Sequence, residues 1–392
     1  MSARGDGTRA VAVIGAGVAT PLGLDLDTFW SALCTGVDGI SMIERFPVDD
    51  LRVGRGGEIK KLRAPHRGRL PRCRASALLT LAADDLLART SLDADGARVG
   101  IVVGTALGGV EEGERALAEG GARAAAAALY DSPAHTLARR LGARGPVLTV
   151  STACASGATA LGVAADLLGA DAADLVVAGG YDVLCRFVMR GFDALRSLTR
   201  ERVRPFDRRR NGLLLGEAAA LVLMARDAAA PRLRLGRLLG HASSSDGSHI
   251  AAPDPEGRGL EHATRGALAA AGVSAEAIDF VSAHGTGTPL NDKIETTVIR
   301  RVLGARADTV PVNSIKGALG HTMGAAATLE AIMCLLASRD GVVPGTAGFE
   351  EVDPACGLDV RGIARPARAR ISLSTSLGFG GCNAALVLEG AS

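Results

Sequence analysis

Apolar positions along this chain fall into short runs of β-branched and small residues, separated by stretches in which apolar residues return every three or four places. The runs Ala10 to Ile14, Val99 to Val103, Val147 to Val150, Leu175 to Ala178 and Ala218 to Met224 predict buried strands. A second series predicts more strands at Leu233 to Leu239, Ile278 to Ser282, Val310 to Asn313, Arg370 to Ser374 and Ala384 to Leu388. Helical patterns such as Gly257 to Ala271 and Gly324 to Ala337 lie between them. The two series end alike, on Gly216-Glu-Ala-Ala-Ala-Leu-Val-Leu-Met224 and Gly381-Cys-Asn-Ala-Ala-Leu-Val-Leu-Glu389. That likeness predicts a duplicated half, residues 1–228 and 229–392, with a seam near Asp227 to Pro231. Strands alternating with helices in both halves predict an α/β layered sandwich with its sheets buried between helices. Two segments interrupt the pattern and are expected at a surface or interface: the Ala/Gly-rich Glu111 to Tyr130 and the loop-like, basic Phe46 to Arg74.

At 392 residues the chain is long enough for two core-forming units. It is 47% hydrophobic but only 3% aromatic, so the core must be aliphatic and packed through Ala and Gly. A formal charge of +2, with no aromatic residues interleaved among basic ones, points away from nucleic acid. Seven cysteines without a paired spacing or a CxxC read as reduced thiols of a cytoplasmic chain. The start, Met1 to Arg9, lacks a signal-peptide pattern, and no apolar run approaches the ~18 residues of a membrane span. No membrane association is expected.

Chemistry concentrates at strand ends. Val147-Leu-Thr-Val-Ser-Thr-Ala-Cys-Ala-Ser-Gly157 runs from a strand pattern into an Ala-rich helix pattern, which places Cys154 on the elbow between them. Unpaired N–H groups at the helix start then face the sulfur, and the dipole favours the thiolate. The competing reading is a close-packed structural cysteine. His284 lies in Ser282-Ala-His-Gly-Thr-Gly-Thr-Pro289 and His321 closes Asn313-Ser-Ile-Lys-Gly-Ala-Leu-Gly-His321, both Gly-rich loops after predicted strands. The Thr286 and Thr288 hydroxyls can bond an extended polar ligand, while Lys316 and Glu330 accompany His321 on its loop and following helix. Singly, each has a plainer explanation as a structural histidine or a solvated charge. Together, on equivalent edges, they predict a site. A Cys-His-His zinc set would lack a fourth ligand and any common spacing, so no metal is expected. Gly15-Ala-Gly-Val-Ala-Thr20 lacks the third glycine and the acidic partner of a dinucleotide fingerprint.

Four motifs in order carry a resemblance over nearly the whole chain: Ser151-Thr-Ala-Cys-Ala-Ser-Gly157, His284-Gly-Thr-Gly-Thr-Pro-Leu-Asn-Asp292, Asn313-Ser-Ile-Lys-Gly-Ala-Leu-Gly-His-Thr-Met-Gly-Ala325 and Gly378-Phe-Gly-Gly-Cys-Asn383. They resemble the β-ketoacyl-acyl carrier protein synthases of the condensing-enzyme superfamily. Arg204-Pro-Phe-Asp207 and Gly216-Glu217 also resemble family positions, whereas Ala218 stands where glycine is more typical. The resemblance implies a thiolase-like, five-layered αβαβα sandwich and either a homodimer or a heterodimer with a related ketosynthase-like chain. It implies no tightly bound cofactor, phosphopantetheine being delivered on the acyl carrier protein.

By the same resemblance, Cys154 takes an acyl chain as a thioester, with its own N–H and that of Phe379 as oxyanion hole. Neutral His284 and His321, donating from Nε2, stabilise the enolate formed from malonyl-carrier protein as carbon dioxide leaves. Lys316 and Glu330 support them, Thr286 and Thr288 bind the pantetheine arm, and Phe379 gates the cysteine. The pair of histidines separates this chain from initiating synthases, which pair Cys-His with asparagine, and the cysteine from silent chain-length partners. A polyketide pathway is expected from the small side chains of Ala122 to Tyr130 and the Ala/Arg-rich composition, with primary fatty acid elongation the close alternative. Basic clusters from Lys60 to Arg74 and from Arg200 to Arg210 predict positive patches, with Lys60, Lys61, Arg63, Arg204 and Arg208 docking an acidic carrier protein.

Overall fold

A computed structural model describes residues 10–63, 68–92, 97–229 and 234–391. Met1 to Arg9, the Pro231 end of the seam and Leu233 of a predicted strand lie outside the described residues. The first half of the sequence supplies strands β1 (Val11–Ala19), β2 (Val99–Gly104), β3 (Val147–Val150), β4 (Leu175–Asp182) and β5 (Ala218–Arg226). The second supplies β6 (Gly236–Ser245), β7 (Phe280–Ser282), β8 (Pro311–Asn313), β9 (Ile371–Gly378) and β10 (Cys382–Gly390).

Hydrogen-bond ladders order these strands β3-β2-β4-β5-β1-β6-β10-β9-β7-β8, with a short strand, Asp359–Val360, beyond β8. The two series meet where Val11 to Val13 pair antiparallel with Gly236 to Leu238. Read outward from that junction, both run first, fifth, fourth, second, third in their own chain order. Both also switch at the same step: β1–β5, β5–β4, β6–β10 and β10–β9 are antiparallel, while β4–β2, β2–β3, β9–β7 and β7–β8 are parallel.

Six helices complete the layers: α1 (Arg74–Arg89), α2 (Ser132–Leu141), α3 (Ser156–Gly169), α4 (Arg258–Ala271), α5 (Pro289–Leu303) and α6 (Ala326–Asp340). On the outer face of the first sheet, α1 packs on β1 and β5, and α2 on β2 and β3. On the far side, α4 packs on β6 and β10, with α5 against α4. Between them, α3 and α6 each touch strands of both sheets, giving αβαβα. A helix between two sheets must be apolar all round, and α6 is buried without a break from Ala326 to Ala337. One core joins Val18, Leu161 and Val222 to Leu238, Ile332 and Leu388.

Departures from the sequence pattern are local. Strand β1 runs on through Gly15 to Ala19 instead of turning, because a Cβ at Gly17 would stand 2.2 Å from the Ala82 carbonyl oxygen of α1. That segment is therefore strand, not a phosphate loop. Within the basic loop expected at the surface, residues 56–59 are buried, and the Gly57 N–H bonds the Leu215 carbonyl at 2.8 Å. Glu111 to Tyr130 folds as helices Val110–Glu119 and Ala122–Ala127 and leaves Leu117, Leu129 and Tyr130 exposed. Among the described residues no helix is long and apolar enough to cross a membrane.

Candidate active site

Strand β3 ends at Val150, and Cys154 follows on a tight turn before α3. Ala153 takes φ +50°, a left-handed conformation that costs a residue with a Cβ and turns the chain sharply. Ser156 ties the turn, accepting from the Thr152 N–H at 2.9 Å and donating to the Ala153 carbonyl at 2.6 Å. From the turn after β9, the Phe379 N–H faces the Cys154 sulfur closely enough to pull its thiol pKa down. Gly378 permits that approach, since a Cβ there would lie 3.0 Å from the Thr152 oxygen and 3.1 Å from the Cys154 nitrogen.

The elbow is as expected, but the resting thiolate is not. Burial pushes the Cys154 thiol up to about 12, overriding the downward pull of Lys316 and of the Phe379 N–H. Loss of water is the largest influence on the sulfur. Alkylation of Cys154 by iodoacetamide is therefore expected to climb about tenfold per pH unit between pH 7 and 9. A plateau near neutrality would show that the helix start wins.

His284 follows β7 and His321 precedes α6, and both are buried. Their rings meet edge to face, centroids 5.2 Å apart and planes at 87°. The Met323 N–H, turned by φ +50° at that residue, donates to His321 Nδ1 at 3.3 Å. This bond assigns the His321 proton to Nε2, which has no partner on the chain. Burial first, then the Lys316 ammonium, holds both imidazoles well below the usual histidine range, and His321 depresses His284 further. Both rings are neutral at pH 7.

Cys154, His284, His321, Thr286, Thr288 and Phe379 all line one cavity of about 420 Å³. The Thr286 and Thr288 hydroxyls bond each other at 2.9 Å. Phe379 stacks on Phe192, centroids 5.3 Å apart and planes 23° from parallel. Lys316 and Glu330 stand behind this wall as a buried ion pair, and Lys316 Nζ also donates to the His284 carbonyl. Burial pushes Glu330 up to about 7 against the pull of Lys316. Among the described residues no group of His, Cys, Asp or Glu is placed to hold a metal ion.

Residues 8–230 match the β-ketoacyl synthase N-terminal domain, and residues 235–350 match the β-ketoacyl synthase C-terminal domain. The chain belongs to the β-ketoacyl synthase family. The synthase is 35% identical over 400 residues to Nodulation protein E of Rhizobium meliloti (strain 1021), covering 97% of this chain and 99% of that one. It is 35% identical over 413 residues to the tetracenomycin polyketide synthase ketoacyl synthase alpha subunit of Streptomyces glaucescens, covering 97% of each. The solved structure of the ishigamide ketosynthase/chain length factor superposes with a TM-score of 0.91 at 32% identity, over 98% of this chain and 100% of that one. The synthase is thus a thiolase-like condensing acyltransferase.

Two carboxylates of the synthase carry no sequence signal. Glu295 on α5 holds the His284 loop, accepting from the His284 N–H at 2.6 Å, the Gly285 N–H at 2.8 Å and Thr375 Oγ1 at 2.8 Å. Asp182, at the end of β4, accepts from Thr105 Oγ1 and the Gly324 N–H, both at 2.7 Å, and so ties the first sheet to the turn before α6. Burial raises both, Glu295 to about 7 and Asp182 to about 6.

Several of the expected docking cations carry intramolecular ion pairs. Lys60 is paired with Glu44 at 3.0 Å and Glu58 at 2.9 Å, while Lys61 is exposed and Arg63 half-buried. Arg204 pairs with Glu350 at 3.2 Å, Arg208 with Glu351 at 2.8 Å, and Arg210 with Asp353. Acidic residues far along the chain thus offset the Arg200 to Arg210 run. Arg196 is the cation at the cavity itself, exposed and without an ion pair among the described residues.

Proposed function

We propose that this synthase extends acyl chains by decarboxylative Claisen condensation in a type II polyketide pathway of the cytoplasm, with an acyl carrier protein delivering both substrates. The observation that supports this reading is the convergence of one thiol and two neutral imidazoles on a single cavity. In it, the half up to residue 228 brings the nucleophile and the half from 229 both imidazoles. The Cys154 sulfur attacks the acyl thioester, the tetrahedral oxyanion takes the N–H groups of Cys154 and Phe379, and the pantetheine thiol leaves with the proton that Cys154 gives up. Malonyl-carrier protein then enters, held by Thr286 and Thr288. Its bond to the carboxyl carbon breaks, carbon dioxide departs, and the electron pair is held as an enolate by the Nε2–H groups of His284 and His321. That enolate carbon attacks the acyl thioester and expels the Cys154 sulfur as a thiolate, which takes a proton from solvent to restore the thiol. Lys316, behind the wall, keeps the imidazoles neutral donors.

A ketosynthase-like partner fits the edge of the fold. Among the described residues no strand pairs with the outer edge of β3, and Leu148 on it is exposed, an arrangement that invites another strand. The polyketide assignment leans on the tetracenomycin relative and the ketosynthase/chain length factor neighbour. Fatty acid elongation would use the same chemistry, so acyl preference separates the two.

Intact-mass measurement with a panel of acyl-carrier proteins tests this. An acyl adduct is expected on the wild type and not on Cys154→Ala, and no adduct with any chain length would leave only a scaffold role. In the same assay, Arg196→Glu should raise KM for carrier-bound substrate several-fold at low salt, and Arg208→Glu much less. Equal effects would return docking to the Arg200 to Arg210 run.

A further inference from the structure

His249 lines the same cavity as Cys154 and takes no part in the steps above. It stands on the segment between β6 and α4. Its Nδ1 accepts two backbone N–H groups, from Ala251 at 3.0 Å and Ala252 at 2.9 Å. A ring nitrogen that accepts carries no proton, so the neutral imidazole holds its hydrogen on Nε2. The side chain is exposed, and among the described residues no acceptor takes that hydrogen. The tautomer is thus fixed, and what remains free is a donor.

The segment itself is anchored to the Phe379 turn. The Asp246 N–H bonds the Gly381 carbonyl at 2.9 Å and the Gly380 N–H bonds the Ile250 carbonyl at 2.9 Å. Asn383 Nδ2 adds a bond to Asp246 Oδ1 at 2.7 Å. Gly380 and Gly381 directly follow Phe379, whose N–H reaches the sulfur. The free donor and the N–H over Cys154 therefore belong to one hydrogen-bonded unit. Asn211 lines the same cavity, and Thr199 Oγ1 donating to its Oδ1 at 2.6 Å fixes the amide so that its N–H groups are known donors.

Arg196 supplies the positive charge at this cavity, whereas the free donor of His249 is neutral and fixed in direction, and suits a neutral acceptor. The amide carbonyls of a pantetheine arm are of that kind, whereas an acyl tail is not. We propose that His249 is a substrate-binding residue whose Nε2–H takes an amide carbonyl of the pantetheine arm and so holds the arm in the cavity beside Cys154. This deepens the condensing reading and rests on it.

His249→Asn tests it, because asparagine Oδ1 can replace Nδ1 as acceptor of the same backbone N–H groups while no atom reaches the place of Nε2. With a hexanoyl-pantetheine probe, KM is expected to rise about fivefold with kcat held, the signature of a lost neutral hydrogen bond used in binding. Iodoacetamide alkylation of Cys154, which needs no arm, should keep the wild-type rate. An unchanged KM overturns the proposal. So does an alkylation rate that changes in step with KM, since the segment alone would then be responsible. Failure of the wild type to become acylated at all would instead sink the condensing reading, and would be seen before any His249 variant is compared.

Discussion

Changing His321 to alanine is expected to slow condensation about 10²- to 10³-fold while acyl transfer onto Cys154 continues, the cost of about 2.7–4 kcal/mol seen when one oxyanion donor is lost. The expectation follows from the proton's location. Met323 fixes Nδ1 as the acceptor, so Nε2–H is the group that His321 offers to the cavity. The acyl-enzyme step uses the N–H groups at the elbow instead. Single-turnover mass measurements separate the two steps, and an equal loss in both would remove His321 from the enolate's surroundings. The pH dependence has a definite sign. Because both histidines are held well below their usual range, the wild-type condensation rate should not fall as pH drops through about 6.5. A decline centred there and absent from Glu330→Gln and Glu295→Gln would belong to those carboxyls, which burial raises to about 7, whereas one kept in both variants would mean that the imidazole donor is lost on ordinary protonation.

Replacing Glu330 with alanine should destabilise the fold by about 3–5 kcal/mol, a large share of the ~5–15 kcal/mol typical of a folded domain. Lys316 is 1% exposed and its ammonium has Glu330 as its carboxylate partner, so the variant leaves a buried charge unpaired. Lys316→Met combined with Glu330→Leu removes both charges and should recover most of that loss in urea unfolding. In the double variant the histidines should titrate closer to their usual range, because the cation that adds to burial in opposing their protonation is gone. A double variant as unstable as the single one would show that the cost lies in packing, not in the unpaired ammonium.

Cys154, the two histidine loops and Phe379 were legible because each sits where a strand pattern stops and a glycine-rich or helical pattern begins. Such punctuation is local in sequence, and the fold keeps it. The duplicated ending at Gly216 and Gly381 likewise appears as β5 and β10 in equivalent places of the two sheets. Glu295 and Asp182 were not legible, since what makes them matter is contact across layers: Glu295 with Thr375 is a separation of 80 residues, and Asp182 with Gly324 one of 142. The same reason explains the docking patches. Arg208 looks free in its own run and meets Glu351 only after folding, 143 residues on. For Cys154 the helix start is readable from a few residues, whereas the exclusion of water that raises its thiol is a property of everything packed around the sulfur.

The shared central layer has a consequence for synthesis of the chain. Helix α3 touches β6 and β10 as well as β2 and β4, so a nascent polypeptide that has emerged only through β5 carries an apolar helix with one side bare. Its natural cover is α6 and the second sheet, which leave the ribosome last. Until then the exposed flank of α3 is a surface for chaperones or for misassembly with a neighbouring nascent chain, and slow translation beyond residue 230 would lengthen that window.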